Sequence, residues 1–325
     1  MHLLTNLSSP MVLCFILGVV AGISRSDLTI PECFTKTLSI YLMLAIGLKG
    51  GYSLQHCGTF TTFVPSLLVG IALSFVLPFI SYAILGLTRS TTPLNAAAIS
   101  AHYGSVSVVT FAAATTYLAD RGIPFEPYMV ALLSLMETPA IVSGLLLAKR
   151  KKCNKNLSTS FIFNDVILNK SVVLLTGGFL IGFTTTSQGF DSISPFFIEP
   201  FKGVVCLFLL DLGLLVAEKL REQPHLNIKL VLFGFYMPLT GSLIGMACGW
   251  ALGLSLGGAT LFAVLAGSAS YIAVPAAMRS ALPEADASQY VTLSLGITFP
   301  FNIILGIPLY YTLTSYWLNQ ARSLF

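Results

Sequence analysis

AHYGSVSVVTFAAATTYLADRGIPFEPYMVALLSLMETP, residues 101–139, combines the hydrophobicity of a membrane segment with polar and helix-interrupting residues at what should be mid-bilayer depth. A continuous apolar helix needs none of Gly104, Ser105, Ser107 or Thr110, yet this run sits inside an apolar segment that begins near Leu94. Backbone that unwinds at that depth is tolerated only where protein or a water-filled cavity meets its freed N–H and C=O groups. Residues 261–300 repeat the design. G-S-V-S at Gly104 to Ser107 is answered by G-S-A-S at Gly267 to Ser270, Ile123-Pro124 by Leu282-Pro283, and Glu137-Thr138-Pro139 by Thr298-Phe299-Pro300.

Composition sets the surroundings. Of 325 residues, 55% are hydrophobic and 9% charged, against roughly 25% charged in a soluble domain, so the bulk of the chain lies in a lipid bilayer. The net charge of +4 collects in connecting segments, which fits an anionic inner leaflet and implies no nucleic-acid partner. Six cysteines, at 14, 33, 57, 153, 206 and 248, fall singly without metal-ligand spacing, and read as reduced packing residues.

The fold class expected is an all-α integral membrane protein of ten transmembrane helices. The spans run over residues 11–23, 37–54, 60–87, 94–119, 127–148, 172–183, 201–217, 228–252, 258–278 and 290–313. Residues 1–10 lack the Lys or Arg of a cleavable signal peptide, so the first apolar run counts as a span. Pro65 and Pro78 should kink the third span, and Pro238 and Gly245 of the eighth stand where the third has Pro65 and Gly70. The chain divides into a first five-helix repeat (1–148), a cytoplasmic linker (149–170) that begins with the K-R-K-K run, and a second repeat (171–325). Five spans per half give the halves opposite orientations, the inverted-topology repeat of secondary transporters. On this count thirteen Lys and Arg fall on one side and four, Lys49, Arg121, Lys202 and Arg322, on the other. The excess marks the cytoplasm and puts both termini outside an inner or plasma membrane.

If helices 4 and 9 break near their glycines and restart, Ser105 or Ser107 and Ser268 or Ser270 can cap the new N-termini. Each restart offers free N–H groups and the positive end of a half-helix dipole, a setting for a small oxyanion. The plain alternative is that small residues merely let helices pack closely. The candidate substrate-binding residues are therefore Gly104, Ser105, Ser107, Thr110, Gly267, Ser268 and Ser270. Glu137, an ionisable group inside the fifth span, and Thr138 are the candidates for holding Na+ or carrying a proton. Asp211, His102 and Asn302 follow, each with a structural alternative, and Tyr271 can wall the pocket.

The runs I-P-F-E-P-Y-M-V-A-L and M-E-T-P-A-I-V, A-I-G-L-K-G-G at Ala45 to Gly51, and R-S-A-L-P-E-A-D-A-S-Q-Y with G-I-P-L at Gly306 to Leu309 resemble the sodium-dependent bicarbonate transporter family first known from cyanobacteria. The resemblance spans both halves. It implies a gate domain from helices 1, 2, 6 and 7, a core domain from helices 3–5 and 8–10, a homotrimer, and bicarbonate bound with Na+ between broken helices at Gly104 to Thr110 and Ser268 to Ala273. Two motifs depart from it: S-V-V-T at Ser107 to Thr110 replaces S-G-S-T, and Tyr271 stands where an acidic residue follows the serines. The short linker argues against a PII-like regulatory partner.

Sodium-dependent bicarbonate symport by such a permease is the leading reading, with Na+ as coupling ion and no covalently bound cofactor. The alternative is another small organic acid on the same scaffold. A membrane-embedded enzyme using His102 and Glu137 would lack every expected motif, with no H-E-x-x-H, no G-x-S-x-G and no paired intramembrane aspartates.

Overall fold

Apolar residues cover all faces of most helices, the pattern of chains packed against lipid or each other rather than water. The computed structural model describes residues 8–55, 61–150, 170–222 and 227–323, and every regular element among them is helical. In chain order these are α1 (Pro10–Ile23), α2 (Glu32–Gln55), α3 (Phe63–Thr88), α4 (Pro93–Gly104), α5 (Val108–Ala119), α6 (Met129–Leu135), α7 (Glu137–Arg150), α8 (Lys170–Thr184), α9 (Ser187–Phe197), α10 (Phe201–Glu222), α11 (Ile228–Ala251), α12 (Leu256–Ala266), α13 (Ala273–Ala281), α14 (Ala287–Val291), α15 (Phe299–Phe301) and α16 (Ile307–Ser323). Among the described residues, seven helical segments are long and apolar enough to cross a membrane, and Pro10–Ile23, Val172–Thr184 and Leu256–Ala266 are shorter apolar helices.

Two helix pairs meet through reciprocal glycines. A Cβ on Gly18 of α1 would enter the Leu210 carbonyl of α10, and one on Gly213 of α10 would enter the Phe15 carbonyl of α1. Between α2 and α8, Gly51 faces the Phe179 carbonyl and Gly182 the Leu48 carbonyl in the same way. Small residues let backbones approach where lipid offers no hydrophobic drive to associate. The α4–α5 segment is buried along the whole of its membrane-length window, against 33% for α3. α3 therefore shows much of its length to lipid and shields the interrupted helix behind it.

Four local outcomes differ from the sequence reading. Pro65 lies in the first turn of α3, where no helical hydrogen bond is lost, and only Pro78 sits inside that helix. The fifth span is itself interrupted: α6 ends at Leu135, and Met136 separates it from α7. Pro139, which lacks an N–H and crowds the Leu135 carbonyl four residues back, accounts for the break, and the neighbouring Met136 carbonyl accepts from Ser74 Oγ of α3. In the tenth span Pro300 has a comparable effect, since π-helical turns over Thr292–Thr298 and Asn302–Gly306 flank it. Helix α9 was not expected. It docks on α2 through Tyr52 stacked on Phe190 at 3.8 Å and the Tyr41 hydroxyl donating to the Phe196 carbonyl at 2.5 Å.

Cys14, Cys33, Cys206 and Cys248 are free thiols, as read from their spacing; Cys57 and Cys153 lie outside the described residues. The K-R-K-K run continues α7 through Arg150, and the remainder of the linker to 169 also lies outside them.

Candidate functional site

Thr92 caps α4, accepting from the Asn95 N–H at 3.3 Å, and Pro93 occupies the first turn, a combination that starts a helix firmly. The helix runs through Gly104 and then stops, because Ser105 adopts an extended backbone (φ −87°, ψ 164°). Ser107 restarts it: its Oγ accepts from the Thr110 N–H at 3.2 Å and from Thr110 Oγ1 at 2.9 Å. The expected break and cap are both present, with Thr110 acting on the Ser107 hydroxyl.

The second interruption differs. α12 ends at Ala266, and the chain is irregular from Gly267 to Ile272 before α13 begins. No side chain caps α13, which corrects the expectation that Ser268 or Ser270 would do so. The irregular stretch is about twice as long as the first, leaving both serines too far ahead of the new helix to reach its N–H groups. Ser268 instead turns to the other break, where its Oγ accepts from the Ser107 N–H at 3.1 Å while donating to the Leu265 carbonyl at 2.9 Å. Ser270 closes the exchange with its backbone N–H on the His102 carbonyl at 2.9 Å. Each break thus supplies a donor to the other, and the two interrupted helices cross there.

The ends of the crossing are latched reciprocally as well. Glu126, in the loop after α5, accepts from the Ser255 N–H at 2.7 Å and from Ser255 Oγ at 3.0 Å, just where Ser255 caps α12. A carboxylate there also meets the positive end of the helix dipole. In the other direction the loop after α13 reaches α4, with the Asp286 N–H on Asn95 Oδ1 at 2.9 Å and Thr91 Oγ1 on Gln289 Oε1 at 2.9 Å.

Gly104 and Gly267 are both packing glycines. A Cβ on Gly104 would meet the Pro78 ring and, at 2.8 Å, the Ser74 carbonyl of α3; one on Gly267 would lie 2.7 Å from the Pro238 carbonyl and 3.0 Å from Ser242 of α11. By these contacts Ser74 and Pro78 of α3 stand where Pro238 and Ser242 of α11 do. That register replaces the pairing of Pro65 with Pro238.

At the crossing lies a small cavity, with room for about one water molecule, lined by Val106, Ser107, Val108, Glu137, Ser270, Tyr271 and Ile272. Glu137 is 2% exposed, and its Oε2 has no hydrogen-bond partner. It opens α7 directly after the Met136 interruption, so the unforeseen third break is what delivers the carboxylate. None of the cavity-lining residues is a Lys or Arg. Thr138 is half-buried and does not line this cavity, nor does Ser105, whose buried Oγ lacks a partner.

Asn302 carries more than the sequence indicated. Its Nδ2 donates to the Gly267 carbonyl freed by the second break at 2.9 Å, and Tyr310 OH holds its Oδ1 at 2.7 Å. The signal for it was an amide two residues after the T-F-P run, inside an apolar span. His102 directs Nδ1 to the Ala98 carbonyl at 2.7 Å and stacks near Tyr290 at 4.6 Å. Asp211 lines a different, polar cleft with Arg25, Lys36 and Lys219.

A multi-pass helical membrane protein whose two interrupted helices cross beside a buried carboxylate has the framework on which secondary transporters build their sites. The chain belongs to the Na+-dependent bicarbonate transporter superfamily, whose model matches residues 10–315. No curated protein sequence matches it.

Proposed function

We propose that this chain takes up a small anion, bicarbonate first, by Na+-dependent alternating access, with Glu137 holding the ion and the crossing breaks holding the anion. The observation that carries the reading is the buried Glu137 carboxylate, one oxygen unpartnered, facing a water-sized cavity between the two breaks. An ionised carboxylate left unpaired inside a protein costs several kcal/mol. A bound Na+ removes that cost and supplies the positive charge that Lys or Arg does not supply in the cavity. The Ser107 and Ser270 hydroxyls and the first N–H groups of α5 then face an anion beside the cation.

The same reading treats the chain as ten spans in two inverted repeats, with α1, α2, α8 and α10 as the gate and α3–α7 together with α11–α16 as the core. Homotrimers, and termini outside an inner membrane, follow from the family resemblance and the Lys and Arg distribution. For orientation, a single Cys near Lys155 should be shielded from an impermeant thiol reagent added to intact cells, while a tag at the C-terminus should be accessible. Function is tested by uptake of labelled bicarbonate into proteoliposomes with and without an inward Na+ gradient. Accumulation only with the gradient is the expected result. Equal uptake in both conditions would remove Na+ coupling, and none in either would remove bicarbonate.

A further inference from the structure

A second space of about 300 Å³ opens between α2, α5, α6 and the start of α10. Its walls are mostly hydrocarbon, with Ile46, Phe111, Val130 and Phe201 among them, yet two ammonium groups line it, those of Lys49 and Lys202. Lys202 is ion-paired with Asp120. Lys49 has no carboxylate partner among the described residues, so one positive charge facing the space is unbalanced. Both lysines belong to the small group of cations on the side assigned to the outside.

This chemistry differs from that of the crossing. Bicarbonate presents oxygen over nearly all its surface, and apolar walls would strip its water without replacing the hydrogen bonds. It would also leave most of the volume unfilled. A carboxylate with a hydrocarbon body matches both parts, its charge on the ammonium groups and its body against the rings, as small-molecule sites of this size are commonly built.

We propose that the space between α2, α5, α6 and α10 binds a small organic carboxylate with an apolar body, held by Lys49 and Lys202. The inference leans on the transport reading only in placing this space on the route to the crossing, and binding is measurable without transport. The test is calorimetric titration of the purified full-length protein with benzoate, with chloride and bicarbonate titrated for comparison. Saturable benzoate binding is expected, together with a loss of about ten- to a hundred-fold in affinity for Lys49→Gln, the effect of removing one charged hydrogen bond. Lys49→Arg should recover most of it, and Ser270→Ala should bind benzoate as the unaltered protein does. Lys202→Gln, at a side chain 60% exposed, gives a second reading should Lys49→Gln fail to fold, and a loss there is also expected. Absence of saturable binding overturns the proposal, as does undiminished binding by the lysine variants. Binding abolished by Ser270→Ala but not by Lys49→Gln would move the anion to the crossing. Failure of bicarbonate uptake alone would leave the benzoate result standing.

Discussion

The two interrupted helices carry matching G-S-x-S motifs and resolve them differently. After Gly104 the chain is non-helical for three residues, with Ser105 and Ser107 extended, and Ser107 caps the restart. After Ala266 it is irregular for six residues, and the restart at Ala273 has no side-chain cap. What the second break lacks in local capping it gains from other helices: Asn302 satisfies the Gly267 carbonyl, and Ser268 bonds across to Ser107. A local cap makes the first break a feature of its own sequence, whereas the second holds its shape only in the assembled protein.

The largest effect should come from the carboxylate shared by both breaks. Removing one partner of a buried ion pair costs about 3–5 kcal/mol, so Glu137→Gln should raise the Na+ concentration for half-maximal uptake by a hundred-fold or more. Unchanged Na+ dependence in proteoliposomes would detach Glu137 from the ion and reduce the crossing to a packing device.

Next come the two serines, which the asymmetry separates. Losing a hydroxyl bond to a charged group costs about 1.5–3 kcal/mol, so Ser107→Ala and Ser270→Ala should each weaken substrate affinity roughly ten- to a hundred-fold. Ser107→Ala should also lose about 0.5–2 kcal/mol of stability as a helix cap. Ser270→Ala should melt normally, because Ser270 joins the crossing through its backbone N–H. Equal melting temperatures for both would erase the distinction, and normal uptake by both would leave only close packing.

Asn302→Ala strips the support of the second break and leaves the Gly267 carbonyl buried without its donor, at about 1–3 kcal/mol. A lower thermal midpoint in detergent is expected, and Asn302→Asp should lower it too, because a carboxylate keeps the acceptor for Tyr310 but has no N–H for the Gly267 carbonyl. An unshifted midpoint for the alanine variant would show that the second break is held by its own sequence after all. The smallest effect belongs to Ser105→Ala, since that hydroxyl is buried without a partner. Stability and uptake should both be close to unaltered. A loss matching that of Ser107→Ala would place the Ser105 hydroxyl against the substrate.

Much of this architecture is legible in the residues. Hydrophobicity and the 9% charge content require helices in lipid, because only closed hydrogen-bonding patterns survive there. The G-S-x-S motif locates both breaks because it recurs at matching places in the two halves, which close packing alone does not require. The amphipathic α9 was missed because its sequence, S-Q-G-F-D-S-I-S-P-F-F, reads as a polar loop until Tyr41 and Tyr52 are seen to receive its aromatic residues.

By itself the sequence determined which segments are apolar enough for lipid, where the fourth and ninth spans stop, and that a carboxylate lies inside the fifth span. Those follow from local chemistry: side-chain hydrophobicity, the missing N–H of proline, and a hydroxyl within reach of its own helix start. Only the tertiary structure decided which donor meets which acceptor across the crossing, that Asn302 rather than a serine supports the second break, and that Glu137 points into the cavity. Such pairings join residues more than thirty positions apart, often more than a hundred, and a buried polar group will accept any partner of suitable geometry. Which one it finds is set by how neighbouring helices pack, and the local sequence does not encode that.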